Sequence, residues 1–362
     1  MKRTAMTTIA DPSTAAQPVF GGVDTHADTH TAAVIDAAGR LLAHRQFPAT
    51  PAGYGQLADW LAAHGRVQRV GVEGTGVYGA GLARSLTAAD IELVEVDRPD
   101  RKTRRFAGKS DPIDAEAAAR AALTGRATGT PKTRTGPVEA LRALRVARRS
   151  AIAARAEAQT QLRSLVITAP EPLRGQLRTL TTRRLLTTCA ALRPDLTAIT
   201  DPLQATKTAL RALAHRHAQL STEIDELDTL LAPLVAQINP ALTAANGVGT
   251  DVAGQLLATA GDNPDRLRSE AAFAALCGVS PIPASSGRTH RHRLNRGGDR
   301  QANAAIYRVV LCRMRWDPRT QAYVQRRTTE GLSKKDIIRC LKRLIARELY
   351  YLLTSPAPAR TT

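Results

Sequence analysis

Four acidic residues have the types and spacing that fit chemistry on a phosphodiester. Asp24 and Glu73 each end a short apolar run. Asp111 and Asp114 lie three residues apart, which places both on one face of a helix's first turn. Carboxylates held together repel one another unless cations neutralise them, and two Mg²⁺ or Mn²⁺ ions about 4 Å apart can hold the attacking and leaving oxygens of a phosphodiester. We therefore predict a Mg²⁺ (or Mn²⁺) site, although singly Asp111 could merely cap a helix and Asp24 merely end a strand.

A second candidate site is a hydroxyl beside glycine in a basic stretch. Ser285 and Ser286 directly precede Gly287. A small hydroxyl next to glycine and surrounded by cations could act as an accessible nucleophile beside phosphate ligands. The alternative is a flexible basic loop that only contacts backbone phosphates. The candidate phosphate ligands of this stretch are Arg288, Arg291, Arg293, Arg296 and Arg300.

Two further groups of residues are candidates for nucleic-acid contacts. Residues 246–250, Asn-Gly-Val-Gly-Thr, resemble the turn of a helix-hairpin-helix, in which Gly247 and Gly249 would let the backbone approach a phosphate. The helix predicted after the turn would supply N–H donors from its N-terminus. A tight turn without a ligand is the alternative. The second group of candidates consists of Arg104, Arg105 and Lys109, which precede Asp111.

The elements that must position the acids follow from apolar runs and turn residues. The sequence predicts strands over residues 19–24, 31–36, 41–47, 67–73 and 91–96, and helices over residues 51–64, 78–87 and 111–123. Three strands, a helix, a strand, a helix, a strand and a final helix is the element order of a ribonuclease-H-like α/β fold. The first and fourth strands would be neighbours in that fold, which would bring Asp24 and Glu73 together.

The middle of the chain, residues 137–240, is predicted to be helical. Two apolar stripes favour an antiparallel helical hairpin or coiled coil, which would be useful for dimerisation; a plain helical spacer is the alternative. The first stripe consists of Leu141, Leu144, Ile152, Leu162 and Leu165. The second consists of Leu220, Ile224, Leu227, Leu230, Leu231 and Leu234.

Composition points to a polyanionic partner. The 362 residues carry a formal net charge of +19, and the cations are unevenly placed. Residues 19–97 contain nine acids and five arginines, whereas residues 280–350 contain seventeen basic and five acidic residues. Such a distribution is typical of an acidic catalytic domain with nucleic-acid-binding arms. The sequence contains no run of 18 apolar residues, so it predicts no membrane-spanning helix. The cysteines lack CxxC spacing, which argues against a disulfide framework or zinc ribbon.

Ordered motifs along the chain resemble those of the DEDD transposases of insertion-sequence family one-hundred-and-ten. The amino-terminal motifs are GVD at residues 22–24, VEGTGVY at 72–78 and KSDPIDA at 109–115. The carboxy-terminal motifs are ANGVG at residues 245–249, FAALCGVSP at 273–281, SG at 286–287 and RGGDR at 296–300. The resemblance covers residues 19–353. Asn246 stands where the family usually has proline, and the segment from the serine to Gly298 is slightly short.

The resemblance implies an α/β plus α architecture. Its parts are a RuvC-like, ribonuclease-H-like domain (19–130), a helical coiled-coil connector (131–239) and a mainly helical transposase domain with a catalytic serine (240–353), between flexible ends (1–18 and 354–362). The family's acids carry over to Asp24, Glu73, Asp111 and Asp114 as the catalytic and metal-binding set. The family's serine falls on Ser286, with Ser285 as the second choice.

The resemblance also implies the partners and the reaction. It implies a bridge-RNA-guided DNA recombinase of an insertion sequence that cuts and rejoins DNA through a phosphoserine intermediate. Its expected partners are double-stranded target and donor DNA, an element-encoded bridge RNA and further copies of the chain, as a homodimer assembling to a tetramer. The expected location is the bacterial cytoplasm at the nucleoid, without a membrane. Two other classes remain open: a metal-dependent junction nuclease that uses water, and a non-catalytic Arg-rich nucleic-acid-binding protein.

Overall fold

The computed structural model describes residues 17–96, 110–288 and 292–355, which form two units. One unit, the sheet unit, holds the described residues up to Thr135 together with residues 260–266. The other, the helical unit, holds residues 136–259 and the described residues from Leu267 onward. The predicted mixed α/β amino-terminal region and mostly helical remainder are confirmed.

A five-stranded mixed sheet forms the centre of the sheet unit. Its strands are β1 (Pro18–Thr25), β2 (Thr29–Asp36), β3 (Leu41–Pro48), β4 (Arg66–Glu73) and β5 (Leu93–Val96). The order is β3-β2-β1-β4-β5, with β2 antiparallel to β1 and β3, and β4 parallel to β1 and β5. The sheet unit also contains the helices α1 (Pro51–Ala62), α2 (Ala80–Ala88) and α3 (Asp111–Leu123). The strands and helices predicted from sequence are found within a few residues of their expected bounds.

The two faces of the sheet are covered by different helices. Val23 and Val72 lie in an apolar core with Leu57 of α1 and Leu82 of α2. Side chains alternate along a strand, so the residues that directly follow these two valines point to the opposite face. Those residues are Asp24 and Glu73. The acids at the ends of β1 and β4 therefore lie on the face that α3 covers.

Glycines let the backbone of α3 lie directly on this face. A Cβ atom added at Gly22 of β1 would lie 2.1 Å from the Ala115 carbonyl oxygen and 2.1 Å from the Ala119 nitrogen. At Gly71 of β4, a Cβ would lie 2.4 Å from the Ala118 carbonyl oxygen. Neither distance can accommodate a carbon atom without moving backbone. The small residues on both surfaces therefore fix the position of α3, whose first turn carries Asp111 and Asp114.

The close approach predicts a large cost for one added methyl group. We expect Gly22→Ala to lower the free energy of unfolding by about 1–3 kcal/mol, because overpacking here displaces helix backbone rather than a flexible side chain. Gly55→Ala is the matched control: Gly55 lies exposed inside α1, and within the described part of the chain no atom comes within 4 Å of its added Cβ. That change should be stabilising by about 0.5–1 kcal/mol through helix propensity. Denaturant unfolding of both variants measures the difference, and equal midpoints for Gly22→Ala and the unaltered chain would contradict the packing.

Two long antiparallel helices open the helical unit. They are α4 (Pro137–Thr168) and α7 (Pro202–Ile238), joined by α5 (Glu171–Leu177) and α6 (Thr182–Ala190). Arg148 donates to Asp228, Arg155 donates to Ser221 at 3.3 Å, and Leu162 shares a buried cluster with Leu210. As the residue number on α4 increases, the number of the contacting residue on α7 decreases, so the two helices run in opposite directions. This is the antiparallel pair that the apolar stripes predict.

The predicted second stripe is wrong at one position. Leu230 is 56 % exposed, whereas Leu231 is buried. Consecutive residues of an α-helix are rotated by about 100°, so the two leucines cannot both face α4. The antiparallel register places exposed Leu230 level with Val146, which is 46 % exposed.

Shorter helices complete the helical unit. They are α8 (Pro240–Ala244), α9 (Thr250–Ala260), α10 (Glu270–Leu276), α11 (Arg300–Trp316), α12 (Pro318–Thr329) and α13 (Lys334–Thr354), with a two-stranded ribbon of β6 (Ile282–Pro283) and β7 (His292–Arg293). Phe273 of α10 is fully buried and its ring lies 6.3 Å from that of Tyr350 on α13. In the described part of the chain, no helix has the length and apolarity needed to cross a membrane.

Candidate active site

The ends of two parallel strands bring the first two acids together. β1 and β4 pair in parallel with Val23 opposite Val72, so Asp24 and Glu73 follow as neighbours at the carboxyl edge of the sheet. Asp24 is only 8 % exposed. The two carboxylates therefore share one edge and one face, as the sequence predicts for neighbouring strands.

The first turn of α3 supplies the other two acids. Ser110 is its extended N-cap residue, and Pro112 occupies the first turn, where a missing N–H costs nothing. Asp114 is buried at 6 % exposure, whereas 45 % of the Asp111 side chain is exposed. The positive end of the helix dipole favours carboxylates at these positions. We refer to Asp24, Glu73, Asp111 and Asp114 as the acidic cluster.

A histidine that the sequence analysis did not single out lies between two of these acids. The Nδ1 atom of His26 is 3.7 Å from Asp24 Oδ2, and its Nε2 atom is 4.0 Å from Asp111 Oδ1. One donor atom from each of the three residues lies within 4.8 Å of the others. These donors, carboxylate oxygen and imidazole nitrogen, are groups that bind divalent cations. The arrangement can therefore hold a metal ion.

Hydrogen bonds fix the turn that follows Glu73. The Thr25 hydroxyl donates to the Glu73 carbonyl oxygen at 2.8 Å, and the buried Thr75 hydroxyl donates to the Glu95 carboxylate at 2.5 Å. Gly74 has φ of +74°, a conformation that favours glycine. The backbone carrying Glu73 is therefore held from both sides, which restricts where its carboxylate can lie.

The candidate serine lies in an exposed, cationic segment of the helical unit. Ser286 is exposed between β6 and β7, and Gly287 after it has φ of +53°. The exposed arginines described around it are Arg288, Arg293, Arg296 and Arg300. Among the described residues, none of these four guanidinium groups forms an ion pair with a carboxylate. Their charges thus remain available for an anionic ligand.

A groove adjoins this segment. It encloses about 670 Å³ and is lined by Arg293, Arg296 and Arg339, together with His292 and Asn295. Three guanidinium groups along one groove suit a chain of phosphates, to which arginine binds bidentately. The predicted contacts Arg104, Arg105, Lys109 and Arg291 lie outside the described residues, so their predicted roles stay predictions.

A rigid base supports the serine segment. A Cβ atom at Gly298 would lie 2.5 Å from the Leu276 carbonyl oxygen, so two backbone segments cross in contact here. Asn303 donates to the Cys277 carbonyl oxygen at 2.9 Å and to the Gly278 carbonyl oxygen at 3.0 Å. The Asp299 carboxylate caps α11 and accepts from the Thr259 hydroxyl at 2.7 Å. The segment is therefore anchored on α9, α10 and α11.

The predicted phosphate-binding turn lies between α8 and α9. Gly247 has φ of +75° and its added Cβ would contact Cys312 and Arg313. At Gly249, no atom of the described residues would lie within 4 Å of an added Cβ. Arg313 donates to the Asn246 carbonyl oxygen at 2.8 Å and is held by Glu348. The turn is thus braced on one side and open at Gly249, next to the N-terminus of α9.

Arginines surround the first turn of α9. Asp251 pairs with Arg145 at 2.9 Å and with Arg308 at 2.5 Å, and Arg148 lies 3.4 Å away. Burial alone would raise the pKa of Asp251, but the neighbouring guanidinium groups bring that pKa below its ordinary value. Asp251 is therefore ionised at neutral pH, and the three arginines outweigh its charge.

The buried cysteines do not compete with serine as nucleophiles. Burial raises the pKa of the Cys277 thiol to about 12 and that of the Cys189 thiol to about 11. Thiolate is the nucleophilic form of cysteine, and it is scarce at neutral pH for such groups. The buried thiols of Cys277 and Cys189 are therefore poor candidates for a nucleophile.

Two family models match the chain. One, described as a transposase and representing DEDD transposases of IS110 type, matches residues 21–169, which include the acidic cluster and His26. The other, described as the transposase IS116/IS110/IS902 family, matches residues 239–325, which include Ser286 and the Gly247 turn. Both candidate sites therefore fall within matched segments.

Curated proteins from two insertion elements are similar to parts of the chain. The IS900 uncharacterized 42 kDa protein of Mycobacterium paratuberculosis is 28 % identical over 165 residues, covering 44 % of this chain and 41 % of that protein. The IS110 uncharacterized 43.6 kDa protein of Streptomyces coelicolor is 34 % identical over 95 residues, covering 26 % of this chain and 23 % of that protein. The chain thus spans less than half the length of each of these relatives.

Proposed function

The chain belongs to the IS110 family of transposases, and on that premise we propose that it is an RNA-guided DNA recombinase of an insertion sequence. The observation that carries the proposal is the position of the acids inside the segment that matches DEDD transposases. Asp24 and Glu73 end the neighbouring strands β1 and β4, and donor atoms of Asp24, His26 and Asp111 lie within 4.8 Å of one another. Such a cluster suits a phosphodiester reaction, and the Arg-rich helical unit suits a polyanionic substrate.

A ribonuclease-H-like fold for the sheet unit is part of the proposal. The order β3-β2-β1-β4-β5, with β2 antiparallel between two neighbours and α3 packed on the face of β1 and β4, supports it. Within this scheme, residues 19–130 form the RuvC-like domain, residues 131–239 the connector and residues 240–353 the transposase domain.

The acidic cluster is proposed to hold Mg²⁺ or Mn²⁺. The donors present are carboxylate oxygens, which both ions accept. A divalent cation supplies positive charge that stabilises a phosphodiester as negative charge develops on its oxygens. The role of this chain's own residues is to hold the carboxylates in place, through the strand pairing of β1 with β4 and the glycine contacts beneath α3.

Ser286 is proposed to be the nucleophile. Its Oγ forms a bond to phosphorus while the bond from phosphorus to one deoxyribose oxygen breaks; the hydroxyl proton passes to solvent and the departing oxygen takes up a proton. A deoxyribose hydroxyl of the other DNA then attacks the same phosphorus and releases the serine. The number of phosphodiester bonds is conserved, so rejoining requires no external energy source. The exposed position of Ser286 among arginines supports this role.

Partners follow from the same proposal. The Gly247 turn (residues 246–250) and the exposed arginines beside Ser286 bind target DNA, donor DNA and an element-encoded bridge RNA. Self-association into a dimer, and further into a tetramer, would use the paired helices α4 and α7. The exposed apolar side chains Val146 and Leu230, level with each other on this pair, support that surface.

Reconstitution tests the proposed function. The purified chain is combined with the RNA that copurifies with it and with plasmids carrying candidate donor and target sites. The expected outcome is a recombinant junction, detected by amplification across it, that requires all four components. Sequencing of the copurified RNA should return one dominant non-coding species. RNA guidance would be contradicted if the copurified RNA were a mixture without a dominant species and the chain kept full recombination activity after the RNA was removed.

Binding to nucleic acid should weaken steeply with salt. If six or more phosphates are neutralised, affinity should fall by roughly 10³-fold or more between 50 and 200 mM salt, because each contact releases condensed counterions. Replacing Arg293 and Arg296 together should reduce the magnitude of the logarithmic slope by about 2. Equilibrium binding across a salt series measures this. A flat response would mean that the basic residues are solvated surface rather than contacts.

A further inference from the structure

We propose that His26 is a nitrogen ligand of the cation held by the acidic cluster, and that it makes this site prefer Mn²⁺ over Mg²⁺. The inference rests on the proposed metal site and adds to it a ligand outside the four acids. That ligand, His26, lies between Asp24 and Asp111.

The backbone places His26 at the site independently of any ion. Its N–H donates to the Thr29 carbonyl oxygen at 3.1 Å, which closes the turn between β1 and β2. The residue follows Asp24 by two positions and comes directly after Thr25, the last residue of β1, so continued strand alternation directs both side chains to the face covered by α3. About half of the His26 side chain is exposed, so an ion and its water ligands have access to it.

The distances fit coordination better than direct hydrogen bonding. The ring nitrogens lie 3.7 Å from Asp24 Oδ2 and 4.0 Å from Asp111 Oδ1, beyond the range of about 2.7–3.2 Å for an N–H···O hydrogen bond. Ligand atoms about 2.1 Å from one ion are about 3.0 Å apart when adjacent and about 4.2 Å apart when opposite. An imidazole binds one ion through only one of its nitrogens, and one nitrogen of His26 lies within 4.8 Å of a carboxylate oxygen of both Asp24 and Asp111. Small side-chain rotations would therefore be enough to bring the three donors to a common ion.

The donor chemistry predicts which ion benefits. Mg²⁺ strongly prefers oxygen ligands and keeps several waters, so an imidazole contributes little to its binding. Transition-metal ions gain more from imidazole nitrogen, and Mn²⁺ also accepts carboxylate and water. A site with carboxylates and one imidazole should therefore bind Mn²⁺ more tightly than Mg²⁺, and the difference should depend on His26.

Pulsed electron paramagnetic resonance of the full chain loaded with Mn²⁺ tests the proposal. The expected spectrum contains modulation from one directly bound ¹⁴N nucleus, which changes to the ¹⁵N pattern when the protein is labelled with ¹⁵N-histidine. His26→Ala should remove this modulation and lower Mn²⁺ affinity by at least about tenfold, the loss that even an outer partner of a metal ligand causes. Its Mg²⁺ affinity should change less.

His44→Ala provides the matched control, because His44 is an exposed histidine on β3 away from the acids. It should keep both the nitrogen modulation and the Mn²⁺ affinity. Bound Mn²⁺ without nitrogen modulation in the unaltered chain, or modulation that persists in His26→Ala, would overturn the role of His26 alone. If Mn²⁺ binds with no dependence on any residue of the acidic cluster, the proposed metal site fails as well, so the two failures can be told apart.

Discussion

Recombination should fall by at least about 100-fold when Glu73 is replaced with Gln. The amide keeps the size of the carboxylate but removes the charge that helps to hold a divalent cation. A bound cation contributes several kcal/mol to a phosphodiester reaction, and each 1.36 kcal/mol changes the rate tenfold. The turn around Glu73 is held through its carbonyl oxygen, which the substitution leaves in place. The loss should therefore appear in product formation rather than in folding.

Glu92→Gln is the matched control for this experiment. Glu92 is exposed and pairs with Arg69 on the surface, a contact worth at most about 1 kcal/mol. The Glu92→Gln variant should recombine like the unaltered chain. Excess chelator should abolish recombination by the Glu92→Gln variant and by the unaltered chain. Full activity of Glu73→Gln, or full activity in chelator, would rule out the metal-site account.

Loss of the serine hydroxyl should abolish recombination altogether. Ser286→Ala removes one oxygen from an exposed segment beside Gly287, so stability should change by no more than about 0.5 kcal/mol. Binding of RNA and DNA should stay normal, because the surrounding guanidinium groups remain. In gel assays, the Ser286→Ala variant should form the bound complex but neither the covalent protein–DNA adduct nor the recombinant product.

Ser285→Ala is the control and should retain most activity. If the adduct instead vanishes in Ser285→Ala and persists in Ser286→Ala, the nucleophile is the preceding residue. If both variants and the double variant recombine normally, a serine mechanism is excluded. A water-using nuclease would need the acidic cluster and be indifferent to both serines, so the same variants separate the two classes.

The architecture of the sheet unit could be predicted because its signals are local. Short apolar runs that end in Asp24 and Glu73 mark parallel strands, and Pro112 with its neighbouring acids marks the first turn of a helix. Leucine periodicity also favoured the antiparallel pair of α4 and α7, but it left a plain helical spacer open as the alternative. Leu230 was assigned wrongly because a leucine pair at consecutive positions does not reveal which residue faces the partner helix.

Contacts between distant residues could not be predicted. His26 and Asp111 meet only because Gly22 and Gly71 let α3 lie on the sheet, and no single-residue pattern encodes that approach. The DTH sequence at residues 24–26, at the carboxyl end of β1, offered a hint, since a histidine two positions after an acid can share its face. The bond from Arg313 to the Asn246 carbonyl oxygen joins residues 67 positions apart and left no sequence signal.

Peptide mapping of the covalent product tests the central claim most directly. The chain is incubated with RNA, divalent cation and a DNA that carries a nick to trap the intermediate, and the denatured adduct is digested with protease and nuclease. The account predicts one peptide carrying a phosphonucleotide on Ser286, absent when the acidic cluster carries Glu73→Gln. Cleaved DNA with free phosphate ends and no modified peptide would contradict it and identify a nuclease that uses water.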